Sequence, residues 1–340
     1  MKYLKINTAR DEIKVSRIVL GTTHFGSRIP DKEVFEIMDR YAMLGGNAID
    51  TARVYGDWDD AGDAASERAC GAWLRSSDRG KFILATKGGH YKFKDRVSRV
   101  TPEEIKVDIE LSLENLKTHI DIYFLHRDNP EIPAREIMPV FEEYIRSGDI
   151  RALGASNWTR ERIDQANKFC QENNLQPFTV SQIQWSLARF DEQTLPLAFE
   201  NDHTLCGMEA GEYEKYASGD LPIFCFTSIA WGFFGKYIAG VKSMPSEAIK
   251  KACETKENFR RMDILRRYSE KTGLLPITLS VAYLTGHKLP TAALVSCSRA
   301  EQLDELMAAP DYVLAQEFYD EVGIGNYGRI QMSNIINEKR

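Results

Sequence analysis

The chain alternates between short apolar runs and longer segments in which apolar residues recur at helical spacing. Eight apolar, β-branched runs bounded by polar or turn-forming residues predict strands at 17–20, 47–49, 81–85, 121–125, 150–154, 179–183, 222–226 and 292–295. Polar loops and amphipathic segments separate these runs. Alternation of this kind predicts a parallel sheet covered by helices.

Helix signals lie between the predicted strands. Asp31 can cap a helix with one apolar face that ends at the glycine pair at 45–46. The segment TPEE at 101–104 combines an N-cap, a proline at the first helical position and a capping-box glutamate, so it predicts a helix start. Further helices are predicted at 135–146, 160–173, 208–218, 257–272 and 300–308.

The eight strands fit a closed (β/α)8 barrel better than an open doubly wound sheet. An open sheet usually carries a G-x-G-x-x-G turn after its first strand, whereas the first strand here is followed by GTTHFG at 21–26. A barrel predicts chemistry at the carboxyl ends of its strands, where the βα loops gather. We therefore predict an α/β chain with one TIM-barrel domain over residues 1–340 and a C-terminal extension from about residue 310.

Composition is compatible with this fold and narrows the function. A chain of 340 residues with 43% apolar residues can bury a large core, and its charges, net −6, are interspersed, which gives no broad attraction to nucleic acid or to anionic membrane. We find no apolar signal segment and no run of roughly 18 apolar residues that could span a bilayer, so we expect a cytoplasmic protein. The six cysteines form no C-x-x-C pair, and we expect reduced packing residues.

Polar side chains stand where the apolar strands finish. Asp50 and then Tyr55 follow the second strand, Lys87 follows the third and His126 follows the fourth. Each alone has an ordinary structural explanation, such as a turn cap, a solvated lysine, a packed histidine or a rim tyrosine. Their placement at successive strand ends predicts a shared site at the barrel mouth.

At this point the sequence resembles the aldo-keto reductase superfamily over nearly its whole length. The segments that carry the resemblance are VSRIVLGT at 15–22, IDTARVYG at 49–56, LATK at 84–87, DIYFLHR at 121–127, GASN at 154–157, SQIQ at 181–184 and SRAEQL at 298–303. The resemblance implies a nicotinamide-dependent oxidoreductase that interconverts a carbonyl and an alcohol.

The family's catalytic tetrad falls, by match, on Asp50, Tyr55, Lys87 and His126. Carbonyl reduction needs a proton on oxygen, and a phenol with an ordinary pKa near 10 is a reluctant donor at neutral pH. A lysine ammonium beside a phenol stabilises the phenolate and so helps proton release. Asp50 can hold Lys87 charged, and His126 can position the carbonyl oxygen beside Tyr55.

The chemistry also needs a hydride donor, which no protein side chain supplies. By resemblance the donor is a nicotinamide dinucleotide whose carboxamide is bound by Ser156, Asn157 and Gln182 and whose ring stacks on Phe226. The full set of implied cofactor contacts is Gly21, Thr22, Asp50, Ser156, Asn157, Gln182, Phe226, Thr227, Ser228, Ile229, Ser296, Ser298, Arg299 and Gln302.

An anion site is predicted after the last strand. Ser296 to Arg299 open a helix there, so backbone N–H groups and a guanidinium converge on one spot. The resemblance implies the adenosine 2′-phosphate at this spot, which favours NADPH over NADH. Two departures from the family pattern concern the cofactor: Leu306 stands where an asparagine is common and offers no amide to adenine, and FTSIA at 226–230 replaces a Tyr-Ser-Pro-Leu pattern.

The same loops carry aromatic and polar candidates for substrate contact. They are His24, Trp58, His90, Arg127, Trp185 and Trp231. This mixture suits a hydroxylated carbonyl compound, such as a sugar or sugar-derived ketone. The loop at about 228–256 is long for a βα turn, and we expect part of it to fold over the cofactor.

Two other functions remain open at this stage. One is a catalytically weak NADPH-binding or regulatory subunit on the same barrel, against which the intact tetrad argues. The other is a metal-dependent barrel hydrolase, since His24, His90 and His126 could share the mouth, but the chain lacks H-x-H or H-x-x-x-H spacing and a carboxylate cluster, so we predict no metal site. The physiological substrate, the direction of the reaction and the oligomeric state cannot be read from the sequence.

Overall fold

The computed structural model describes residues 2–58, 62–191 and 193–323. An antiparallel hairpin of Tyr3–Asn7 (β1) and Glu12–Ser16 (β2) precedes a closed barrel of eight strands, all paired in parallel. The barrel strands are Ile18–Gly21 (β3), Ala48–Asp50 (β4), Ile83–Gly88 (β5), Ile120–Leu125 (β6), Ile150–Ser156 (β7), Phe178–Gln184 (β8), Ile223–Phe226 (β9) and Thr291–Val295 (β10). The predicted (β/α)8 barrel is confirmed, and each predicted strand corresponds to one barrel strand.

The barrel interior is filled by alternate residues of the strands, because successive side chains of a strand face opposite sides. The inward set is small or apolar and forms one buried cluster with the hairpin. Its strand members include Val19, Ala48, Ala85, Ile122, Phe124, Ala152, Val180, Phe224 and Ala292. The outward residues pack against the helices in a second, larger cluster.

The N-terminal hairpin closes the amino-terminal end of the barrel, and the sequence prediction missed it. Leu4, Ile6, Ile13 and Val15 are buried in the same cluster as the inward-facing strand residues. The signal was present, because both segments alternate apolar and polar residues with a period of two. The closed end leaves the opposite end, where β3 to β10 finish, as the barrel mouth.

Helices follow the strands around the outside. The α-helices of the described residues are Asp31–Met43 (α1), Ala65–Ser76 (α2), Pro102–Leu116 (α3), Ala134–Ile137 (α4), Glu142–Ser147 (α5), Arg160–Asn173 (α6), Thr194–Ala198 (α7), Ala210–Ala217 (α8), Phe233–Ile238 (α9), Glu247–Cys253 (α10), Lys256–Thr272 (α11), Pro276–Thr285 (α12), Gln302–Met307 (α13) and Gln316–Val322 (α14). Short 3-10 turns occupy Arg79–Lys81, Met138–Phe141, Ala230–Gly232 and Ala309–Asp311.

Three local predictions need correction, two at helix starts and one inside a helix. Asp31 is the first residue of α1, and Pro30 takes the N-cap position in its place. Thr101 does cap α3 by accepting a bond from the Glu104 N–H, but the Glu104 carboxylate binds Arg99 instead of completing a capping box. The helix predicted at 135–146 is divided by the 3-10 turn at Met138–Phe141, where a proline cannot donate a helical hydrogen bond.

Several helices were not predicted. The strongest example is α12, whose sequence PITLSVAYLT is apolar on all sides and contains β-branched residues, so its pattern is as typical of a buried strand as of a helix. The segment at 228–256, predicted as a long loop, contains α9 and α10. Within the three described ranges, no helix has the length and apolar content needed to cross a bilayer.

Candidate active site

Each of five predicted site residues lies two positions after an inward-facing core residue of the same strand. Because alternate residues of a strand face the same side, the residue two positions after an inward-facing core residue also faces the barrel axis. The pairs are Ala48 and Asp50, Ala85 and Lys87, Phe124 and His126, Val180 and Gln182, and Phe224 and Phe226. The apolar interior of the barrel therefore ends in a layer of polar and aromatic side chains at the mouth.

Lys87 connects three of the predicted catalytic side chains. Its Nζ atom lies 2.5 Å from Asp50 Oδ2 and 3.2 Å from the Tyr55 hydroxyl, and it also donates to the Thr51 carbonyl. The Lys87 side chain is fully buried. Burial opposes the charge, but the adjacent Asp50 carboxylate and Tyr55 outweigh it and raise the pKa of Lys87. The site therefore holds a permanent cation against the Tyr55 hydroxyl.

Asp50 is fixed from two sides. One carboxylate oxygen accepts the bond from Lys87, and the other accepts a bond of 2.9 Å from Gln182 Nε2. Gln182 lies on β8, across the barrel from β4, so this bond spans the interior. Both oxygens of the buried carboxylate are satisfied, which leaves Asp50 little freedom to move.

Tyr55 reaches Lys87 from the loop after β4, and the shape of this loop depends on a glycine. Gly56 has a φ of +107°, and a Cβ at this position would lie 2.7 Å from the Ala65 Cβ, so no side chain fits. The close approach seats the loop on the start of α2. Tyr55 itself is only partly buried, so its hydroxyl lies between the buried ammonium and the open mouth.

His126 follows β6 and lies beside Tyr55, with 5.9 Å between the ring centroids. Its backbone is fixed because its N–H donates to the Gly88 carbonyl and its own carbonyl accepts from Asn157 Nδ2 and Arg127 Nη1. Burial, together with the neighbouring His90 and the cations, holds the pKa of His126 well below 6.5. The ring is neutral at physiological pH, so it can act as a hydrogen-bond donor but not as a cation.

Five rings, one of them Tyr55, form a closed circuit of contacts, which we call the aromatic enclosure. In order around the circuit they are Tyr55, Trp58, Phe93, His90 and His126, and the distances between successive centroids are 5.9, 5.8, 5.2, 4.8 and 5.9 Å. Trp58 is 37% exposed and Phe93 is 45% exposed. Phe93 was missed from the sequence, although it stands near His90 in the aromatic-rich segment HYKF at 90–93.

Arg127 is placed differently from its predicted role in substrate contact. Its side chain is buried and donates to Asp202 Oδ2 at 3.0 Å, and Tyr91 donates to the same oxygen at 3.0 Å. Asp202 lies in the long loop after β8, which the sequence prediction did not associate with the site. Arg127 therefore connects His126 to this loop instead of facing the enclosure.

Trp185 does not lie at the mouth, in contrast to its predicted role in substrate contact. It follows the inward-facing Gln184, so the alternation of the strand directs it outward. Its ring is fully buried and contacts Tyr213, Tyr283 and His287 between the barrel and the helices. A side chain in that layer contributes to packing.

Trp231 and Phe226 meet a residue from the loop after β8. The Phe199 ring lies 6.1 Å from Phe226 and 5.4 Å from Trp231. Trp231 adopts a φ of +54°, in the left-handed region. His24 lies in the tight turn after β3, where its carbonyl accepts bonds from the Ser27 and Ile29 N–H groups.

The predicted nicotinamide contacts form a polar surface on β7 and β8. Ser156 and Asn157 are almost fully buried, and Asn157 has a φ of +61° that turns the chain sharply at the end of β7. The Asn157 amide already donates to the His126 carbonyl and accepts from the Cys206 N–H. Gln184, which was not predicted, pairs with Phe226 in the sheet, and its buried Oε1 has no hydrogen-bond partner within the described part of the chain.

Other predicted cofactor residues have structural partners. The Thr22 hydroxyl bonds the Asp50 carbonyl and the Ser66 hydroxyl behind the site, and Ser228 bonds the Leu294 carbonyl. Thr227 has a φ of +52°, and Ile229 precedes the 3-10 turn that follows it. The Ser296 hydroxyl donates to the Gly21 carbonyl, and a Cβ at Gly21 would lie 2.8 Å from Ser296 Oγ, so the glycine permits this contact.

The predicted anion site differs from its sequence description. The helix begins at Gln302 and not at Ser296, and the Gln302 side-chain oxygen accepts the Ser298 and Arg299 N–H groups at 2.9 and 3.2 Å. Arg299 is exposed beside this turn. Leu306, the departure from the family pattern, is buried in the core. The two backbone donors expected to bind an anion are therefore bonded to an amide oxygen.

The cysteines and possible metal ligands add no second centre. Cys70, Cys170, Cys225, Cys253 and Cys297 are buried free thiols and Cys206 is partly buried. Burial raises the pKa of each, for example to about 12 for Cys70 and Cys297, so none is an activated thiolate. No cluster of three or more His, Cys, Asp or Glu side chains suitable for a metal ion occurs among residues 2–58, 62–191 and 193–323.

Comparison with known proteins identifies the family of the chain. The model of the aldo/keto reductase family matches residues 17–324. The chain is similar to a norsolorinic acid reductase of Emericella nidulans, with 24% identity over 94% of this chain and 80% of that protein. It is also similar to uncharacterized oxidoreductases of Bacillus subtilis, at 24% identity over 91% of both chains, and of Mycobacterium bovis, at 29% identity over 94% of this chain and 91% of the relative. The chain therefore belongs to the aldo/keto reductase family and is an oxidoreductase enzyme of that family.

Proposed function

We propose that this enzyme reduces an aldehyde or ketone to an alcohol, or runs the reverse reaction, with Tyr55 as the general acid and base. The observation that carries the proposal is the contact chain in which the buried Lys87 ammonium touches both the Asp50 carboxylate and the Tyr55 hydroxyl. A buried ion pair is not needed for stability, since a protein with apolar residues of similar volume in its place is often as stable. Its extension to a partly exposed phenol at the barrel mouth is what catalysis would require.

In the reductive direction, Tyr55 releases its proton to the carbonyl oxygen. The phenolate that remains is stabilised by the Lys87 ammonium 3.2 Å away, and in the reverse direction the same phenolate accepts the proton of the alcohol. Asp50 contributes indirectly, because it keeps Lys87 charged and in place.

His126 orients the carbonyl. A neutral imidazole N–H directed into the mouth donates a hydrogen bond to the carbonyl oxygen, while Tyr55 approaches the same oxygen from the neighbouring loop. The neutral state matters, because an imidazolium would compete with Tyr55 as the proton donor. The depressed pKa of His126 keeps the two roles separate.

The residues around Phe226 fit a nicotinamide. Buried hydroxyl and amide groups of Ser156, Asn157 and Gln182 lie at the ends of β7 and β8, and Phe226 ends the neighbouring strand β9. Gln184 pairs with Phe226, and its Oε1, which has no partner within the described residues, offers an acceptor suited to a carboxamide N–H. Members of the family use nicotinamide cofactors, and the bound reduced nicotinamide supplies the hydride for the carbonyl carbon. The residues named here would hold the nicotinamide in place and exclude water from it.

NADPH is the preferred cofactor in this proposal. The Arg299 guanidinium and the Ser298 and Arg299 N–H groups are donors suited to a phosphate dianion. Because Gln302 already occupies these N–H groups, phosphate binding would require the glutamine side chain to move away. Leu306 cannot compensate at the adenine, so the preference depends mainly on the 2′-phosphate contacts.

Part of the segment at 228–256 covers the bound cofactor in this proposal. The segment contains α9 and α10, and Trp231 links it to Phe199 of the loop after β8. Limited proteolysis with and without saturating NADPH tests the closure. Protection of this segment by NADPH supports it, and cleavage that NADPH does not change contradicts it.

The decisive experiment for the function is a titration with NADPH and with NADH, followed by a screen of aldehydes, ketones, sugars and the matching alcohols. Cofactor oxidation is followed by absorbance, and each substrate is compared with a reaction without enzyme. Turnover of a carbonyl with tighter binding of NADPH supports the proposal. Tight cofactor binding without turnover across the panel would instead indicate a binding or regulatory subunit.

A further inference from the structure

His90 occupies a distinctive place in the aromatic enclosure. Its ring lies 4.8 Å from the His126 ring and 5.2 Å from the Phe93 ring, and the residue is 7% exposed. Neither the proposed proton transfer nor the orientation of the carbonyl uses it. A buried imidazole next to the proposed carbonyl-binding histidine nevertheless adds a polar ring to the enclosure.

The hydrogen bonding of His90 fixes its tautomer. Nδ1 lies 3.0 Å from the Tyr91 carbonyl oxygen, and because a carbonyl can only accept, Nδ1 must carry the proton. Burial and the nearby Arg127 cation lower the pKa of His90 to about 3, so the ring holds a single proton at neutral pH. Nε2 is therefore an unprotonated acceptor, and this ring makes no other hydrogen bond to the residues in the described ranges.

The enclosure thus combines two unlike donors with one acceptor. Tyr55 and His126 both offer hydrogen to a carbonyl oxygen, whereas His90 Nε2 requires hydrogen from its partner. The partly exposed Trp58 and Phe93 rings form the remaining sides. Flat, apolar walls favour a planar ligand, because aromatic rings pack well in tilted and edge-to-face contacts.

Resting on the proposed carbonyl reduction, we propose that His90 is a specificity-determining residue and that the substrate is a planar aryl carbonyl compound carrying a hydroxyl group that donates to His90 Nε2. The aryl ring lies within the aromatic enclosure, and its carbonyl oxygen lies between Tyr55 and His126. A substrate without that hydroxyl leaves Nε2 without its partner, which is the type of mismatch that gives enzymes discrimination. This class keeps the hydroxyl group of the hydroxylated carbonyl compounds expected from the sequence, but it replaces the sugar by a planar aryl compound.

The three hydroxybenzaldehyde isomers, their methoxy counterparts and benzaldehyde form a direct test. A methoxy group keeps the oxygen atom in the same position but has no hydrogen to donate. For the isomer that fits best, kcat/KM of the wild-type enzyme should exceed that of its methoxy counterpart by about tenfold, the effect of one neutral hydrogen bond. His90→Phe keeps an aromatic ring but removes the acceptor, and the ratio should fall to about one.

Rescue distinguishes the acceptor from a merely structural role. In His90→Gln the side-chain oxygen reaches approximately the position of Nε2, so part of the hydroxyl preference should return. If His90→Phe does not fold, His90→Asn replaces it, because a shorter amide can bond the Tyr91 carbonyl without supplying an acceptor at the Nε2 position. Tyr3→Phe, at the closed end of the barrel, serves as the matched control.

The outcomes distinguish the role of His90 from the reductase function. A wild-type enzyme that reduces benzaldehyde but shows no hydroxyl preference overturns the role of His90 and leaves the reductase function intact. A preference that persists in His90→Phe also overturns it. Absence of turnover with every compound of this panel, when the broad carbonyl screen does show turnover, overturns the aryl substrate and leaves the reductase function intact. Absence of turnover in both screens overturns both claims. The preference in the wild type, its loss in His90→Phe and its partial return in His90→Gln establish the role.

Discussion

The two ends of the barrel each bury a carboxylate, and they use it differently. At the closed end, Asp121 accepts bonds from Arg79 at 2.7 Å, from Arg151 at 2.6 Å and from the Leu84 N–H at 2.9 Å. Burial opposes its charge, but His119 and the arginines outweigh it and hold the pKa of Asp121 at about 2. At the mouth, Asp50 bonds Lys87 and Gln182, and the chain of contacts continues to Tyr55 at the open surface.

The difference lies in where each network ends. The Asp121 network ends on backbone groups and paired ions, so it fixes the positions of β5, β6 and β7. The Asp50 network ends on a hydroxyl that can exchange a proton with something outside the protein. A cavity of about 330 Å³ at the closed end is lined in part by Arg10, His119 and Arg151, and none of the predicted site residues lines it. The two regions differ in that the ion pair at the mouth continues to a partly exposed phenol hydroxyl, that of Tyr55.

The largest difference between the two ends should appear when Lys87 is replaced by Met. Loss of the ammonium removes the stabilisation of the Tyr55 phenolate, so kcat should fall about 10³-fold, within the range for acid–base groups. Asp50 is left buried without its cation, which should lower the free energy of unfolding by about 3 kcal/mol. Steady-state kinetics and urea denaturation measure the two effects.

The matched control for this change is Lys87→Met combined with Asp50→Asn. The double variant should regain most of the lost stability without regaining activity. Recovery of activity would contradict the role assigned to Lys87.

The converse change at the closed end is Asp121→Asn. Arg79 and Arg151 lose their shared partner, and the free energy of unfolding should fall by about 2 kcal/mol, less than for a fully buried pair because both arginines are partly exposed. The value of kcat should match the wild type, because Asp121 touches no residue of the mouth. A tenfold loss of kcat in a folded variant would break the distinction between the two ends.

A smaller effect is expected at the outer edge of the mouth, where Arg299 is exposed. Arg299→Met removes a charged donor to the proposed 2′-phosphate and should raise KM for NADPH about tenfold, while KM for NADH changes less than twofold. Arg267→Met, which changes another exposed arginine away from the mouth, is the control. An equal change for the two cofactors would show that Arg299 does not read the phosphate.

The two ends should also respond to acid in different pH ranges. The pKa of His90 is about 3 in the folded protein, against about 6.5 for an unfolded histidine. Its contribution to the free energy of unfolding is therefore complete above pH 6.5 and is lost as pH falls toward 3. Asp121, with a folded pKa of about 2, contributes fully only above the ordinary value near 3.9 and loses its contribution below it.

Denaturation of the wild type, His90→Phe and Asp121→Asn across this pH range separates the two contributions. Between pH 6.5 and 3, the free energy of unfolding should fall less steeply with decreasing pH in His90→Phe than in the wild type. The difference in slope should be at most about 1.4 kcal/mol per pH unit, the value for one proton. Identical slopes for the wild type and His90→Phe would mean that His90 is not held neutral.

Much of the architecture could be predicted from the sequence because it depends on local signals. Short β-branched runs and intervening amphipathic segments identify the barrel strands, and the polar residues that end these runs identify the mouth. The N-terminal hairpin was not predicted, although apolar and polar residues alternate in both of its strands. The buried helix α12 could not be distinguished from a strand, because an element that is apolar on all sides has no periodic face.

The site was less predictable wherever it depends on how side chains turn and which loops meet. Trp185 directly follows strand β8, which leads to the mouth. Because the preceding residue, Gln184, faces inward, Trp185 faces outward. The roles of Phe93, Phe199 and Asp202 depend on loops far apart in the sequence coming together. The bond from Gln302 to the predicted anion site depends on a rotamer, which no spacing rule specifies.

The central claim is that Tyr55 transfers the proton, and Tyr55→Phe tests it most directly. The substitution removes one oxygen atom and keeps the ring of the enclosure. The measurement compares NADPH affinity by titration with the single-turnover rate of bound NADPH oxidation by a carbonyl substrate, in the wild type and in the variant. The account predicts an affinity within about twofold and a rate lower by about 10³-fold. A variant that folds, binds NADPH and retains most of the wild-type rate would contradict it.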